Sequence, residues 1–227
     1  YLFQRDKACN VCSATWAQLM KFTPIAGLDH PTDAARFGQS VVFVPETDTS
    51  TALAIIGSPG YNHESGKVYI FHYDHTQGSW AMLDSLADSN WNHDGDRRGR
   101  FGSSLHVDGD TLLVGSPGYS NGKGAVYVFR RSQNGKHFFA SQAIYGPSDI
   151  EEGDNFGHSL SLSENKAVIC APYKSVAIVQ VISSDRILTP NAGACHVYSR
   201  RNEASSFLFD EQLTPSNILP RDRFGWD

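Results

Sequence analysis

A repeat constrains this chain more than any single motif in it. Phe37-Gly38, Phe101-Gly102, Phe156-Gly157 and Phe224-Gly225 recur at intervals of 64, 55 and 68 residues. Two residues after each of the first three glycines stands a serine, Ser40, Ser104 or Ser159, and an apolar run follows it. A second run then ends in a small residue and a proline: "LAIIGSPG", "TLLVGSPG", "AVICAPY". A glycine opens a third, "GKVYIFHYD", "GAVYVFRR" or "GACHVYSRR". The aromatics Trp16, Trp80, Phe138 and Phe207 mark a fourth. Self-similarity at a period of a few tens of residues sets the architecture before any local motif is weighed.

The runs are short, rich in Val, Ile, Leu, Tyr and Phe, and bounded by Gly, Asn, Asp, Ser or Pro, which predicts strands joined by turns. Asp-Gly in "VDGDT" suits a tight hairpin, as do the Asn-Gly pairs at Asn121 and Asn134. Links this short permit only antiparallel neighbours, since a parallel pair needs a crossover of about a dozen residues. Four strands of this kind, repeated in tandem, make the blades of a β-propeller. The expectation is an all-β chain of four-stranded antiparallel blades.

"FGSSLHVDGDTLLVGSPG" followed by "GAVYVF" resembles the FG-GAP repeat of integrin α-subunit propellers and of the propeller in glycosylphosphatidylinositol-specific phospholipase D. The resemblance covers nearly the whole chain and implies a seven-bladed propeller. It implies a non-enzymatic extracellular or cell-surface module for recognition or assembly, binding a protein or glycan through blade loops. A second implied reading is the accessory propeller of a secreted hydrolase whose catalytic domain lies outside this sequence. Seven units of this length exceed the 227 residues present. Residues 1–35 are therefore expected to supply the last two strands of a preceding blade and a link. Residues 36–99, 100–155 and 156–222 are expected to be blades, and 223–227 the start of the next. Further blades or subunits would cover the two outer sheet faces, which soluble proteins do not leave bare.

Composition bears on partners. Hydrophobic residues make up 40% and charged residues 19%, the formal net charge is −5, and no run of like charge occurs. Nucleic acid is not an expected partner, because there is no basic face to neutralise phosphates. No apolar stretch reaches the roughly 18 residues of a membrane helix, so no membrane insertion is expected in this segment.

In repeat register Cys170 stands where the previous unit has Gly115, and Cys195 where it has Val126. Adjacent antiparallel strands bring such positions within disulfide reach, the alternative being two buried free thiols. A bridge closing this 25-residue loop would restrict the unfolded chain by roughly 3 to 4 kcal/mol. Cys9 and Cys12 lack two further ligands at zinc spacing and read as a local or external disulfide. Together the four cysteines favour an oxidising compartment.

Integrin propellers carry calcium in the hairpin between first and second strands, but "HVDGDT", "LSENKA" and "VPETDTSTA" hold too few spaced carboxylates for the six to eight oxygens calcium takes. Asn90, Asn92, Asp94 and Asp96 mimic the opening of a calcium loop, with Arg98 where the ninth-position ligand belongs and no bidentate Glu after it. They are calcium candidates beside a plain solvated link, and no other cofactor is expected. No Gly-x-Ser-x-Gly elbow occurs; serines that recur in register serve the blade, so no catalytic residue is assigned.

Function on a repeat scaffold sits in the loops that differ between units. Pro172 and Gly193 are 21 residues apart where Pro117 and Gly124 are 7 apart. The insertion, residues 173–192, carries "SVAIVQVI", an apolar, β-prone stretch that is a hazard if left bare. Tyr173, Val176, Ile178, Val181, Ile182 and Arg186 are the expected interaction residues, either covered by another subunit or folded into a hairpin with "RILTPNAG" as its second arm.

Overall fold

The computed structural model describes residues 2–5, 16–22, 35–45, 51–87, 98–133, 135, 137–179 and 186–227. The chain divides into two compact units, Tyr1–Pro31 and Thr32–Asp227. In the first, β1 (Leu2–Arg5) pairs antiparallel with β2 (Trp16–Met20). Cys9 and Cys12 lie outside the described residues.

The second unit holds three four-stranded antiparallel blades. Blade 1 runs β3 (Val41–Val44), β4 (Leu53–Ser58), β5 (Lys67–Asp74) and β6 (Ser79–Ala87) in spatial order. Blade 2 repeats the meander with β7 (Ser104–Asp108), β8 (Thr111–Ser116), β9 (Ala125–Arg131) and β10 (Phe138–Tyr145). Blade 3 uses β11 (Ser159–Ser163) and β12 (Lys166–Ala171). Its second half is β15 (Ala194–Ser199) and β16 (Leu208–Leu213), leaving β13 (Val176–Val179) and β14 (Arg186–Thr189) as a separate two-stranded sheet. The helical content described is two single turns, α1 (Tyr61–Glu64) and α2 (Tyr119–Gly122), in equivalent links.

The second strands β4 and β8 are buried at every residue; β8 lies between blades 1 and 3, so both of its faces meet a neighbour. Leu112 and Val114 point into a core shared with Leu53, Ile55, Val68 and Ile70 of blade 1, while Leu113 joins Leu162, Ile169 and Tyr198 of blade 3. Alternation along a strand thus feeds two different cores. Phe138 and Phe207 are buried in these layers, whereas Trp80 is half-buried against Tyr73 and Phe43.

The recurring motifs meet where one blade joins the next. Ser40 Oγ donates to the carbonyl of Gly102 at 2.7 Å, Ser104 to Gly157 at 2.8 Å and Ser159 to Gly225 at 2.7 Å. The glycine opening each third strand lies against the Phe of the following repeat: Phe101 N–H donates to Ser65 O, Phe156 to Lys123 O and Phe224 to Ala192 O at 2.8 to 3.1 Å. A Cβ on Gly66, Gly124 or Gly193 would sit 2.0 to 2.4 Å from that backbone, and all three have φ between +85° and +90°. Only glycine meets both conditions. Gly124→Ala is therefore expected to cost at least about 3 kcal/mol, combining strain with a backbone clash. Ser104→Ala should lose about 1 kcal/mol, one partly buried hydrogen bond. Urea denaturation of both variants checks the order.

Candidate functional site

Blade 3 departs from the other two between its second and third strands. Its insertion leaves β12 through Pro172 and returns through Gly193, whose N–H donates to Lys174 O at 2.9 Å. Between these points β13 and β14 pair with Val176 opposite Thr189 and Val179 opposite Arg186. The apolar stretch thus folds against its own second arm. At the root Val176 is buried with Ala192, Ala194 and Ile218. Lys174, also buried, reaches Asp149 Oδ2 at 3.0 Å. Farther out Leu188 is 63% exposed. Side chains at Ile178 and Arg186 are not described, and Val181 and Ile182 lie outside the described residues.

Cys170 and Cys195 are opposed across β12 and β15 and joined by a disulfide. The same positions are occupied by Gly57 opposite Val68 and by Gly115 opposite Val126 in the other blades. Cβ atoms on Gly57 or Gly115 would fall 2.0 to 2.2 Å from the latch serine and the next blade's glycine carbonyl. Blade 3 carries Cys170 there and retains the Ser159 latch. Its sulfurs face Gly225, as the methyls of Val68 and Val126 face Gly102 and Gly157.

His196 takes the place of Tyr69 and Tyr127, each of which meets the ring of its own repeat's Phe. It is completely buried, 5.6 Å from Phe156 and 6.1 Å from Phe209, with neither ring nitrogen hydrogen-bonded. Burial holds its pKa below the ordinary histidine value, and burial does the same to His158. Above the unfolded value of about 6.5 both forms of the protein hold these imidazoles neutral. As pH falls through that value the unfolded chain binds protons that the folded chain resists, so stability drops. His196→Tyr, which restores the residue of the other blades, should flatten the fall in melting temperature between about pH 7 and 5. An unchanged slope would exclude His196 as its source.

A third cluster rims the root of the insertion. Tyr173 and Trp226 meet at 5.7 Å with planes at 73°, and the Arg223 guanidinium carbon lies 5.0 Å and 5.1 Å from their centroids. His158 backs Trp226 at 4.5 Å. Of these residues the sequence pattern singles out Tyr173 alone. Arg223 stands at the position before Phe-Gly, which reads Arg36, Arg100 and Asn155 in the other repeats; Trp226 and His158 carry no such signal.

Among the described residues no group of three His, Cys, Asp or Glu is placed to hold a metal. Asn90, Asn92, Asp94 and Asp96 fall outside those residues. In the β7–β8 hairpin the Asp108 carboxylate instead accepts the Glu164 N–H of the next blade. No described helix is long and apolar enough to cross a membrane.

A model of the FG-GAP repeat matches residues 92–129, the stretch whose latch, opening glycine and Phe contacts recur in the neighbouring blades. Blade 2 thus matches the FG-GAP repeat. The chain is 31% identical to human integrin alpha-D over 139 residues, 55% of this chain and 11% of that protein. With mouse integrin alpha-X it shares 31% identity over 149 residues, again 55% and 11%. It therefore spans about a tenth of the length of these relatives. A solved structure described as a putative 6-phosphogluconolactonase from Bacteroides uniformis, 10% identical, aligns over 81% of this chain and 73% of that one at a TM-score of 0.36. That likeness carries no argument about activity. The FG-GAP match accords with an all-β array of propeller blades.

Proposed function

We propose that this FG-GAP array is a non-enzymatic, extracellular or cell-surface recognition module that binds a protein partner through the inserted hairpin of blade 3. The observation that carries the reading is the hairpin itself: β13 and β14 form a sheet separate from the blade sheet. Its root is pinned by the Cys170–Cys195 bridge and buried Val176, and exposed Leu188 lies farther out. A rigid base under an apolar, projecting arm suits recognition, because less conformational freedom is lost when a partner seats on it.

Similarity to integrin α-subunits supports the setting, and a stapled blade suits an oxidising compartment. The first strand of blade 1 presents Val41 and Phe43, and the last strand of blade 3 presents Leu208, Phe209 and Leu213. In this reading further blades cover those two faces, as the inner faces of the three described blades are covered by each other.

Deletion of residues 175–190 tests the proposal. The expected result is a protein that keeps its cooperative melting and its Cys170–Cys195 bridge but no longer retains its partner. Retention undiminished by the deletion would exclude the hairpin as the binding element.

A further inference from the structure

We infer that His196 and the adjoining Lys174–Asp149 pair form an acid-sensitive seat for the inserted hairpin, which frees the hairpin's root on mild acidification while the blades stay folded. Release of a bound partner by this means rests on the proposed function; the seat itself does not.

Three positions of the repeat compose the seat. Blade 1 fills them with Tyr61, Lys67 and Tyr69, the Lys67 ammonium lying 5.0 Å and 5.2 Å from the two ring centroids. Blade 2 has Tyr119, Ala125 and Tyr127 there, and blade 3 has Lys174, Ala194 and His196. Both tyrosines thus give way to nitrogen bases in the blade that carries the insertion. Lys174 is buried, and its ammonium donates to the Asp149 carbonyl and pairs with Asp149 Oδ2 at 3.0 Å. His196 is wholly buried with neither ring nitrogen hydrogen-bonded, a state that folded proteins rarely leave without a purpose. Blades 2 and 3 and the insertion bury both side chains by themselves, and further chain could only add to that burial.

Lys174 and Asp149 are the charges that act on the imidazole, so the root of the hairpin lies against it. β12 faces it with Ile169, β16 with Gln212 and Phe209, and Phe156 packs on its ring; none of these titrates. Burial holds the imidazole below the ordinary histidine value, the Ile169 carbonyl offsets part of that, and Lys174 adds to it. Above about pH 6.5 His196 is neutral whether the root is seated or lifted. Below that pH the lifted form takes up a proton that the seated form resists, so seating weakens as pH falls. For one histidine the change is about tenfold between about pH 7.5 and about pH 5.5. Asp154, on which Lys174 also acts, is held above the ordinary carboxylate value by burial; its titration has the opposite sign and limits the effect at lower pH. Lifting breaks no blade ladder, because β13 and β14 form their own sheet. It parts the Tyr173 N–H from Asp154 O, 3.3 Å, and uncovers Val176, while the Cys170–Cys195 bridge keeps the neck closed.

The test is amide hydrogen exchange of the intact protein at about pH 7.5, 6.5 and 5.5, corrected for the pH dependence of the chemical exchange step. The reporters are the amides of Lys174 and Gly193, which donate to Ala171 O at 3.1 Å and Lys174 O at 2.9 Å; amides at the centre of β8 are the reference. The root amides are expected to open more readily than those of β8 at every pH, and about tenfold more at pH 5.5 than at 7.5. His196→Tyr, which restores the residue of the other blades, and His196→Phe, which cannot titrate, should each abolish that tenfold rise. A flat profile in the unmutated protein would overturn the seat without recourse to a variant. So would root amides that open only together with β8, or a tenfold rise that survives in either variant. No partner enters the measurement, so failure of the seat and failure of the proposed binding role are read separately.

Discussion

Everything in this array depends on how closely one repeat's backbone approaches the next. Hydroxyls of Ser40, Ser104 and Ser159 reach a glycine carbonyl in the following repeat. The glycines opening β5, β9 and β15 lie directly against the following Phe. Each latch contributes only about 1 kcal/mol, less than the roughly 1.5 to 3 kcal/mol from fully burying a large apolar side chain such as Leu112 or Phe101. Apolar burial is nevertheless conditional on the latch. Sheets separated by an added Cβ could not close the cores that Leu53, Val68, Leu112 and Tyr127 fill from both sides. The latch sets the distance, and the distance makes burial available.

Blade 3 shows what the junction tolerates. It keeps the serine latch and the glycine at position 193, yet places Cys170 where its neighbours need glycine and His196 where they have tyrosine. It also carries Ala171 in place of the serines at 58 and 116, which donate to the link carbonyls of Ala35 and Gly99. A hydrogen bond is lost there, and a covalent bridge stands one residue away. The blade with the weakened link, the uncapped buried imidazole and the staple is the one that bears the insertion. Its departures from the repeat lie together in space, at the root of the hairpin.

Much of this is legible in the sequence because the junction demands particular residues at fixed offsets. Phe-Gly, the serine two residues on, the Gly-Ser-Pro corner and the Gly-x-Val-Tyr strand each correspond to a contact with a neighbouring blade. Spacing alone finds them without coordinates. The two arms of the insertion can be read too, since "VAIV" and "RILT" are β-prone runs either side of a polar turn. The Arg223 corner is not legible. Tyr173 and Trp226 lie far apart in the chain, and nothing in the residue types says that the turn after β12 and the link after β16 converge. His196 is one more strand residue in the sequence; its burial, without a partner for either nitrogen, sets it apart from the tyrosines it replaces.

If the latches and close glycines act as described, the blade junctions belong to one cooperative structure. Native-state hydrogen exchange at single-residue resolution tests this directly. The amides of Asn155 and Phe156 donate across the junction to Gly122 and Lys123 and should exchange only by global unfolding. They should show the same opening free energy as amides at the centre of β8 and β9. Junction amides that exchange about 2 kcal/mol more readily than those of β8 and β9 would mean that the blades open from one another while each stays folded, and would contradict the account.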